Sequence, residues 1–245
     1  MTDAKLQGKR VVVIGGSSGI GFAVARGAAS AGAQVVIGSR DQRKVDAACS
    51  RLGGTSMGCP VDVRDESSVT AFFDEVGPFD HLVFTAGDWG SFRAPRPTAE
   101  IDLESAGDVF AVRFWGAMRA IKHAVQRIAA DGSITVTNGV VAHRPRKGAP
   151  LSTAMAGAIE HLTQGLAVDL APLRVNVVCP GLVLTEVWDS IPEDERADRL
   201  RRMTADQPLP RAGDPDEVAE AYLYLMCGTF STGQVLVVDG GRTLV

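Results

Sequence analysis

Val11-Val12-Val13-Ile14-Gly15-Gly16-Ser17-Ser18-Gly19-Ile20-Gly21 runs from a β-branched apolar stretch directly into a cluster of glycines. An alanine-rich segment from Phe22 to Ala31 follows, closed by Gly32. The order is strand, tight turn, helix. Glycine at 15, 19 and 21 permits the turn and lets backbone N–H groups come close to a ligand. The helix N-terminus adds partial positive charge at the same point. Glycines at this spacing are weak evidence alone, but between a strand and a helix they mark a cradle for a pyrophosphate.

The same alternation continues along the chain. Apolar strand-like runs are predicted at Lys9 to Ile14, Gln34 to Gly38, Met57 to Val63, His81 to Thr85, Ser133 to Thr137, Arg174 to Cys179 and Val235 to Asp239. Helices are predicted between them at Phe22 to Ala31, Gln42 to Leu52, Glu66 to Val76, Ser105 to Ala130, Ser152 to Leu170 and Pro215 to Cys227. Strands that are apolar throughout and separated by helices imply a parallel sheet covered on both faces. The expected fold is α/β, a doubly wound parallel sheet of about seven strands formed by one domain over residues 1–245. One irregular stretch, Leu182 to Ala212, is rich in Asp, Glu, Arg and Pro and carries Trp188 and Met203. A segment of that length between strand and helix is expected to be a lid over a binding site.

Composition narrows the function. The 25 Lys and Arg against 29 Asp and Glu give a net charge of −4, which argues against a protein that grips nucleic acid through phosphates. No apolar run approaches the roughly 18 residues that span a bilayer, and the N-terminus has no signal-peptide core, so a cytoplasmic protein is expected. Cys49, Cys59, Cys179 and Cys227 form no C-x-x-C pair and no Cys/His cluster of metal spacing, so no metal site is expected.

After the second strand, the position that usually holds an acidic ribose ligand is Ser39, followed by Arg40. A carboxylate would repel a 2′-phosphate, whereas a guanidinium pairs with it bidentately. NADP(H) is therefore expected over NAD(H). Asp62, at the end of the third strand, is placed to accept from an adenine amino group or to cap the next turn.

These residues resemble the short-chain dehydrogenase/reductase family over essentially the whole chain. Gly15 to Gly21 is similar to that family's T-G-x-x-x-G-x-G, and Asp62-Val63 to its adenine-site Asp-Val. Ala86-Gly87 keeps the end of N-N-A-G, and Asn176 to Gly181 keeps N-x-x-x-P-G. Leu209-Pro210-Arg211 with Pro215 to Ala219, and the ending Thr232-Gly233-Gln234 with Asp239-Gly240-Gly241, match later motifs. The resemblance implies a Rossmann-like fold. It also implies a nucleotide site made of Gly15, Ser17, Ser18, Gly19, Ile20, Gly21, Arg40, Asp62, Val63, Ala86, Gly87, Pro180, Gly181, Val183 and Thr185. Assembly as a homodimer or homotetramer follows from the same resemblance.

The departures fall in one place. The family's Asn, Ser, Tyr and Lys align with Arg113, Gly139, Ser152 and Ala156. The chain's two tyrosines, Tyr222 and Tyr224, lie near the C-terminus, and between the central helix and the sixth strand the one lysine is Lys147. A serine hydroxyl is far too weak an acid to replace an activated phenol unaided. Losing the Tyr and Lys bonds to the nicotinamide ribose would cost on the order of 2–4 kcal/mol. Anchoring at the adenine end with a weakly held nicotinamide is expected. A further paired change puts Ile14 and Phe84 where the family has Thr and Asn, and reads as compensated packing.

The remaining candidates for chemistry are His143, just after the fifth strand, Arg113 in the emptied pocket, and Ser152. Three functions fit this pattern. One is an atypical NADP(H)-dependent oxidoreductase. Another is a non-catalytic subunit or nucleotide-binding scaffold that pairs with an active relative as a hetero-oligomer. The last is a non-redox isomerase, cyclase or dehydratase that takes a small apolar substrate beneath the lid.

Overall fold

A computed structural model describes residues 3–54, 56–87 and 96–245. Seven strands form one sheet: β1 (Arg10–Ile14), β2 (Gln34–Ser39), β3 (Met57–Pro60), β4 (Phe79–Phe84), β5 (Ile128–Thr137), β6 (Arg174–Pro180) and β7 (Val235–Val238). Every pairing is parallel and the order is β3-β2-β1-β4-β5-β6-β7. The helices are α1 (Asp3–Leu6), α2 (Gly19–Ser30), α3 (Gln42–Leu52), α4 (Glu66–Val76), α5 (Asp108–Phe110), α6 (Ala117–Ala124), α7 (Pro150–Asp169), α8 (Glu193–Thr204) and α9 (Pro215–Cys227). The doubly wound fold read from the sequence is the one formed.

Alternate residues of each central strand face opposite cores. Val12 and Ile14 point into one with Phe72 and Phe73 of α4, Ile121 of α6 and Ile159 of α7. Val11 and Val13 point into the other with Val24 of α2, Val45 of α3 and Tyr222 of α9. Burial on both faces accounts for the continuous apolar runs. Ile14 pairs in register with Phe84, and both are buried in the same cluster, which is the packing expected of that exchange. The strand order reverses between β1 and β4, so the crevice at the carboxyl ends of these strands is where this architecture binds ligands.

Beyond shifts of a few residues at strand ends, such as β3 stopping at Pro60 rather than Val63, three segments differ from the sequence reading. The long central helix is broken: α5 passes into a π-helical turn over Ala111–Gly116, and α6 ends at Ala124. Strand β5 begins at Ile128, five residues earlier than expected, because Ile128 pairs with Phe79 across a register shift. The segment 182–212 is partly helical, containing α8, and its ends are pinned together. Leu184 N–H donates to Gly213 O at 2.9 Å and Gly213 N–H to Leu182 O at 2.8 Å.

Candidate nucleotide and substrate site

The glycine turn joins β1 to α2. Gly15 sits at φ +91°, and a Cβ there would come within 2.5 Å of Ala86 N. At Gly21 a Cβ would meet both Gly15 O and Thr85 Oγ1 at 2.3 Å. The turn is thus closed to any side chain on its inner side. Helix α2 opens with Ser18 in extended conformation, no side-chain cap and no acidic residue in its first turn. Its free N–H groups suit an anion. One carboxylate already uses the position, since Gly19 N–H donates to Glu186 Oε2 at 2.8 Å. The close backbone turn and the helix N-terminus suit a pyrophosphate, which would take the Gly19 N–H from Glu186.

The turn forms one end of a cavity of about 1300 Å³ that runs across the carboxyl edge of the sheet. Gly15, Ser17, Ser18, Gly19, Ile20 and Gly21 line it. Arg40, exposed after β2, stands on the wall with Lys44 beyond it. Asp62 and Val63 follow β3 there, and Ala86 and Gly87 follow β4. Pro180, Gly181, Val183 and Thr185 close the wall after β6. The Asp62 carboxylate also accepts from Arg64 N–H at 3.0 Å, so it caps its turn while facing the cavity.

The other end of the cavity holds three of the four aligned family positions. Arg113 projects from the π-helical turn onto Gly87, where an added Cβ would lie 3.0 Å from its Nε and Nη2. A π turn shifts side chains relative to a regular helix and recurs at functional sites. Gly139 and Ser152 line the same wall. Ala156 does not; it is buried one turn along α7 between Met155 and Ile159.

The fold takes His143 elsewhere than expected. It is not on the cavity wall, and its Nε2 lies 2.8 Å from Glu160 Oε1 on α7. The same oxygen accepts from Asn138 Nδ2 at 2.8 Å. Glu160 is largely buried, so a cationic or N–H partner is what keeps it from being an uncompensated charge, and His143 supplies one. Cys179 completes a polar group in which one ligand-type atom of each of His143, Glu160 and Cys179 lies within 4.8 Å of the others. Burial, and then the nearby Glu160 and Asp239, push the Cys179 thiol up to about 12.

Neither tyrosine reaches the chemistry. Tyr224 is exposed on α9. Tyr222 is fully buried, and its hydroxyl lies 2.7 Å from Thr137 Oγ1. Thr137 in turn donates to Phe84 O at 2.7 Å, which leaves Tyr222 as the donor of the pair. Burial raises the Tyr222 phenol well above its ordinary value. It is a structural tyrosine beneath the cavity floor.

Sequence reading missed Asn138, Glu160, Glu186 and Arg242, although Asn138, Glu186 and Arg242 line the cavity. Glu160 had one available signal: it follows Ala156 by four residues and so shares its helix face. Glu186 and Arg242 belong to loops whose approach to the site is set by tertiary structure alone.

A family model described as Enoyl-(Acyl carrier protein) reductase matches residues 14–243. The chain is 36% identical to Short-chain dehydrogenase/reductase ucsE of an Acremonium species, covering 99% of this chain and 98% of that protein. Its structure resembles that of the MalC Reductase/Diels-Alderase from Malbranchea aurantiaca, with TM-score 0.92 and 34% identity over all of both chains. It also resembles an NADPH-bound short chain oxidoreductase from Pseudomonas aeruginosa PAO1 that contains an atypical catalytic center, with TM-score 0.87 and 28% identity over 95% and 96% of the two chains. The parallel sheet, the glycine cradle at its switch point and relatives matched end to end lead to one assignment: the chain belongs to the short-chain dehydrogenase/reductase family.

Proposed function

We propose that this protein is an NADP(H)-dependent oxidoreductase that works without the family's Asn-Ser-Tyr-Lys set. The observation that carries this reading is the single cavity joining the glycine turn and Arg40 at one end to Arg113, Gly139 and Ser152 at the other, with no tyrosine on its wall. Gly15 to Gly21 would hold the pyrophosphate, Arg40 the 2′-phosphate and Asp62 the adenine. Thr185 would face the nicotinamide carboxamide or the phosphates. The cofactor, when bound, supplies the hydride.

Arg113 is the residue to which the substrate-side chemistry is assigned. A guanidinium stays charged and cannot act as a proton donor near neutral pH, so its part is electrostatic. It favours an oxyanion that develops as hydride reaches a carbonyl carbon. Ser152 can donate a hydrogen bond to the same oxygen, and water delivers the proton. His143 is bound to Glu160 and takes no direct part unless the loop 139–147 rearranges. The segment 182–212 serves as lid, with Trp188 and Met203 on the cavity side. Trp115 and Val168, 53% and 82% exposed, suit a face covered by a second copy of the chain.

A second reading is favoured by the likeness to a reductase that is also a Diels-Alderase. The same cavity, with Val140, Val141, Trp188 and Met203 on its wall, can fold an apolar substrate for ring closure. The test is single-turnover mixing of NADPH-loaded protein with a panel of carbonyl and imine compounds, following nicotinamide absorbance. Oxidation of NADPH by at least one of them is expected. Arg113→Gln should slow it by about 10²-fold, the usual cost of losing one oxyanion donor. Failure to bind NADPH would sink the proposal and return attention to the scaffold reading.

A further inference from the structure

The charges on the cavity wall are unevenly distributed. Among the described residues its carboxylates are Asp41, Asp62 and Glu186. Asp41 caps α3, Asp62 follows β3 and Glu186 sits on Gly19, so all three stand at the nucleotide end. The opposite end carries Arg113, Arg144, Arg146, Lys147 and Arg242. In a chain of net charge −4, five cations with no acidic residue among them on the wall, among the described residues, are a local feature.

Four of these cations are not consumed by ion pairs among the described residues. Among the described residues, Arg144, Arg146, Lys147 and Arg242 form no salt bridge. Arg144 Nη1 donates to Arg242 O at 2.9 Å, and Arg242 Nη1 donates to Met203 O, so both guanidinium groups are held in place by carbonyls. Burial lowers the proton affinity of Arg242, and Arg144 and Arg146 lower it further. Asp239 opposes this shift, but its carboxylate is already engaged, accepting from Gly241 N–H at 2.9 Å and Thr243 N–H at 2.8 Å. Ser152, in the first turn of α7, adds the N-terminus of a 20-residue helix with no side-chain cap and no acidic residue in that turn.

The nucleotide's own phosphates do not explain this cluster. Arg144, Arg146 and Lys147 follow β5, whereas the glycine turn follows β1, two strands away in the sheet, and Arg40 follows β2, three strands away. At the spacing of neighbouring strands these are roughly 10 Å and 14 Å.

We infer that the substrate end of this cavity binds an anionic group, a carboxylate or phosphoryl, held by Arg144, Arg146 and Arg242, leaving the reacting carbon near Arg113. This deepens the oxidoreductase reading and rests on it for the identity of the reacting end. The anion preference itself is a binding property and can be measured without turnover.

The experiment uses three aldehydes of one shape: 4-carboxybenzaldehyde, 4-formylphenyl phosphate and the neutral methyl 4-formylbenzoate. Each is titrated calorimetrically into the full chain, with and without NADPH. The two anions are expected to bind at least about tenfold more tightly than the ester, which is about 1.4 kcal/mol. Their relative affinities distinguish a carboxylate site from a phosphoryl site. Arg146→Gln, at an exposed position, and the Arg144→Gln/Arg146→Gln pair should reduce the preference stepwise, while NADPH affinity changes by no more than about threefold at moderate ionic strength. Equal affinity for ester and anions, binding of none of the three, or a preference unchanged in both variants would overturn the inference. If the preference holds but NADPH does not bind, the oxidoreductase reading fails and the anion site stands.

Discussion

His81 shows how one residue couples this fold to pH. It lies in the middle of β4, nearly inaccessible, with Nδ1 2.9 Å from Ser133 Oγ on the neighbouring strand. Burial depresses its pKa from 6.5 to about 4, with Arg174 and Lys9 acting in the same direction and Asp80 and Asp131 opposing. The folded protein therefore binds this proton less readily than the unfolded chain. Stability is full above the unfolded value of 6.5 and falls as pH drops towards 4, by on the order of 3 kcal/mol in total. Glu66 and Asp80, whose pKa values are lowered by their partners, add their own losses at lower pH. Urea midpoints between about pH 7 and 5 should fall with acid in the wild type and be much flatter in His81→Asn. A wild-type midpoint constant over that range would contradict the assignment. Residues of this kind were not legible beforehand, because a lone histidine in an apolar run carries no mark of its partners. Gly21 was legible. Alanine is normally the better helix residue, so glycine in the first turn of a helix calls for a reason, and the reason is the 2.3 Å approach of Gly15 O and Thr85 Oγ1.

At the scale of elements, sequence pattern identified strands and helices wherever burial alone decided them, and failed where pairing overrode propensity. Helices α4 and α9 run over the predicted residues because glycine or proline marks their ends. Residues 125–130, Val-Gln-Arg-Ile-Ala-Ala, carry no such mark and have helix-compatible side chains. They leave the helix because Phe79 N–H donates to Arg127 O at 3.2 Å and Ile128 joins β4, partners some fifty residues away. The segment 182–212 was legible as irregular but its helix was not, since α8 is strongly charged and has little apolar periodicity. The start of that segment makes a specific contact with the glycine turn. Glu186 accepts the Gly19 N–H that a pyrophosphate would use, and its charge repels phosphate. Replacing it by Gln should tighten NADPH binding by several-fold, the modest effect of one charge at an exposed site. Fluorescence titration of both proteins measures this. Weaker binding by Glu186→Gln would mean that the carboxylate helps to hold the cofactor rather than competing with it.

Across the whole molecule, the sheet order determines which loops share the cavity. The switch point between β1 and β4 brings the turn after β1 together with the loops after β4, β5 and β6, so the nucleotide motifs scattered along the chain line one wall. That convergence was legible, because each motif is local and glycine or proline fixes its backbone. The substrate end was legible only as an absence of the usual four residues. The residues that line that end are Arg113 on an unforeseen π turn, the loop after β5 and the C-terminal Arg242, which meet only in three dimensions. Among the described residues no helix is long and apolar enough to cross a membrane. The central claim is that this cavity holds NADP(H), with Arg40 recognising the 2′-phosphate. Calorimetric titration of the full chain and of Arg40→Ser with NADPH and NADH tests it most directly. NADPH should bind the wild type about ten- to a hundredfold more tightly than NADH, the worth of a charge-assisted pair, and the preference should vanish in the variant. Equal or tighter binding of NADH by the wild type, or binding of neither nucleotide, would contradict it.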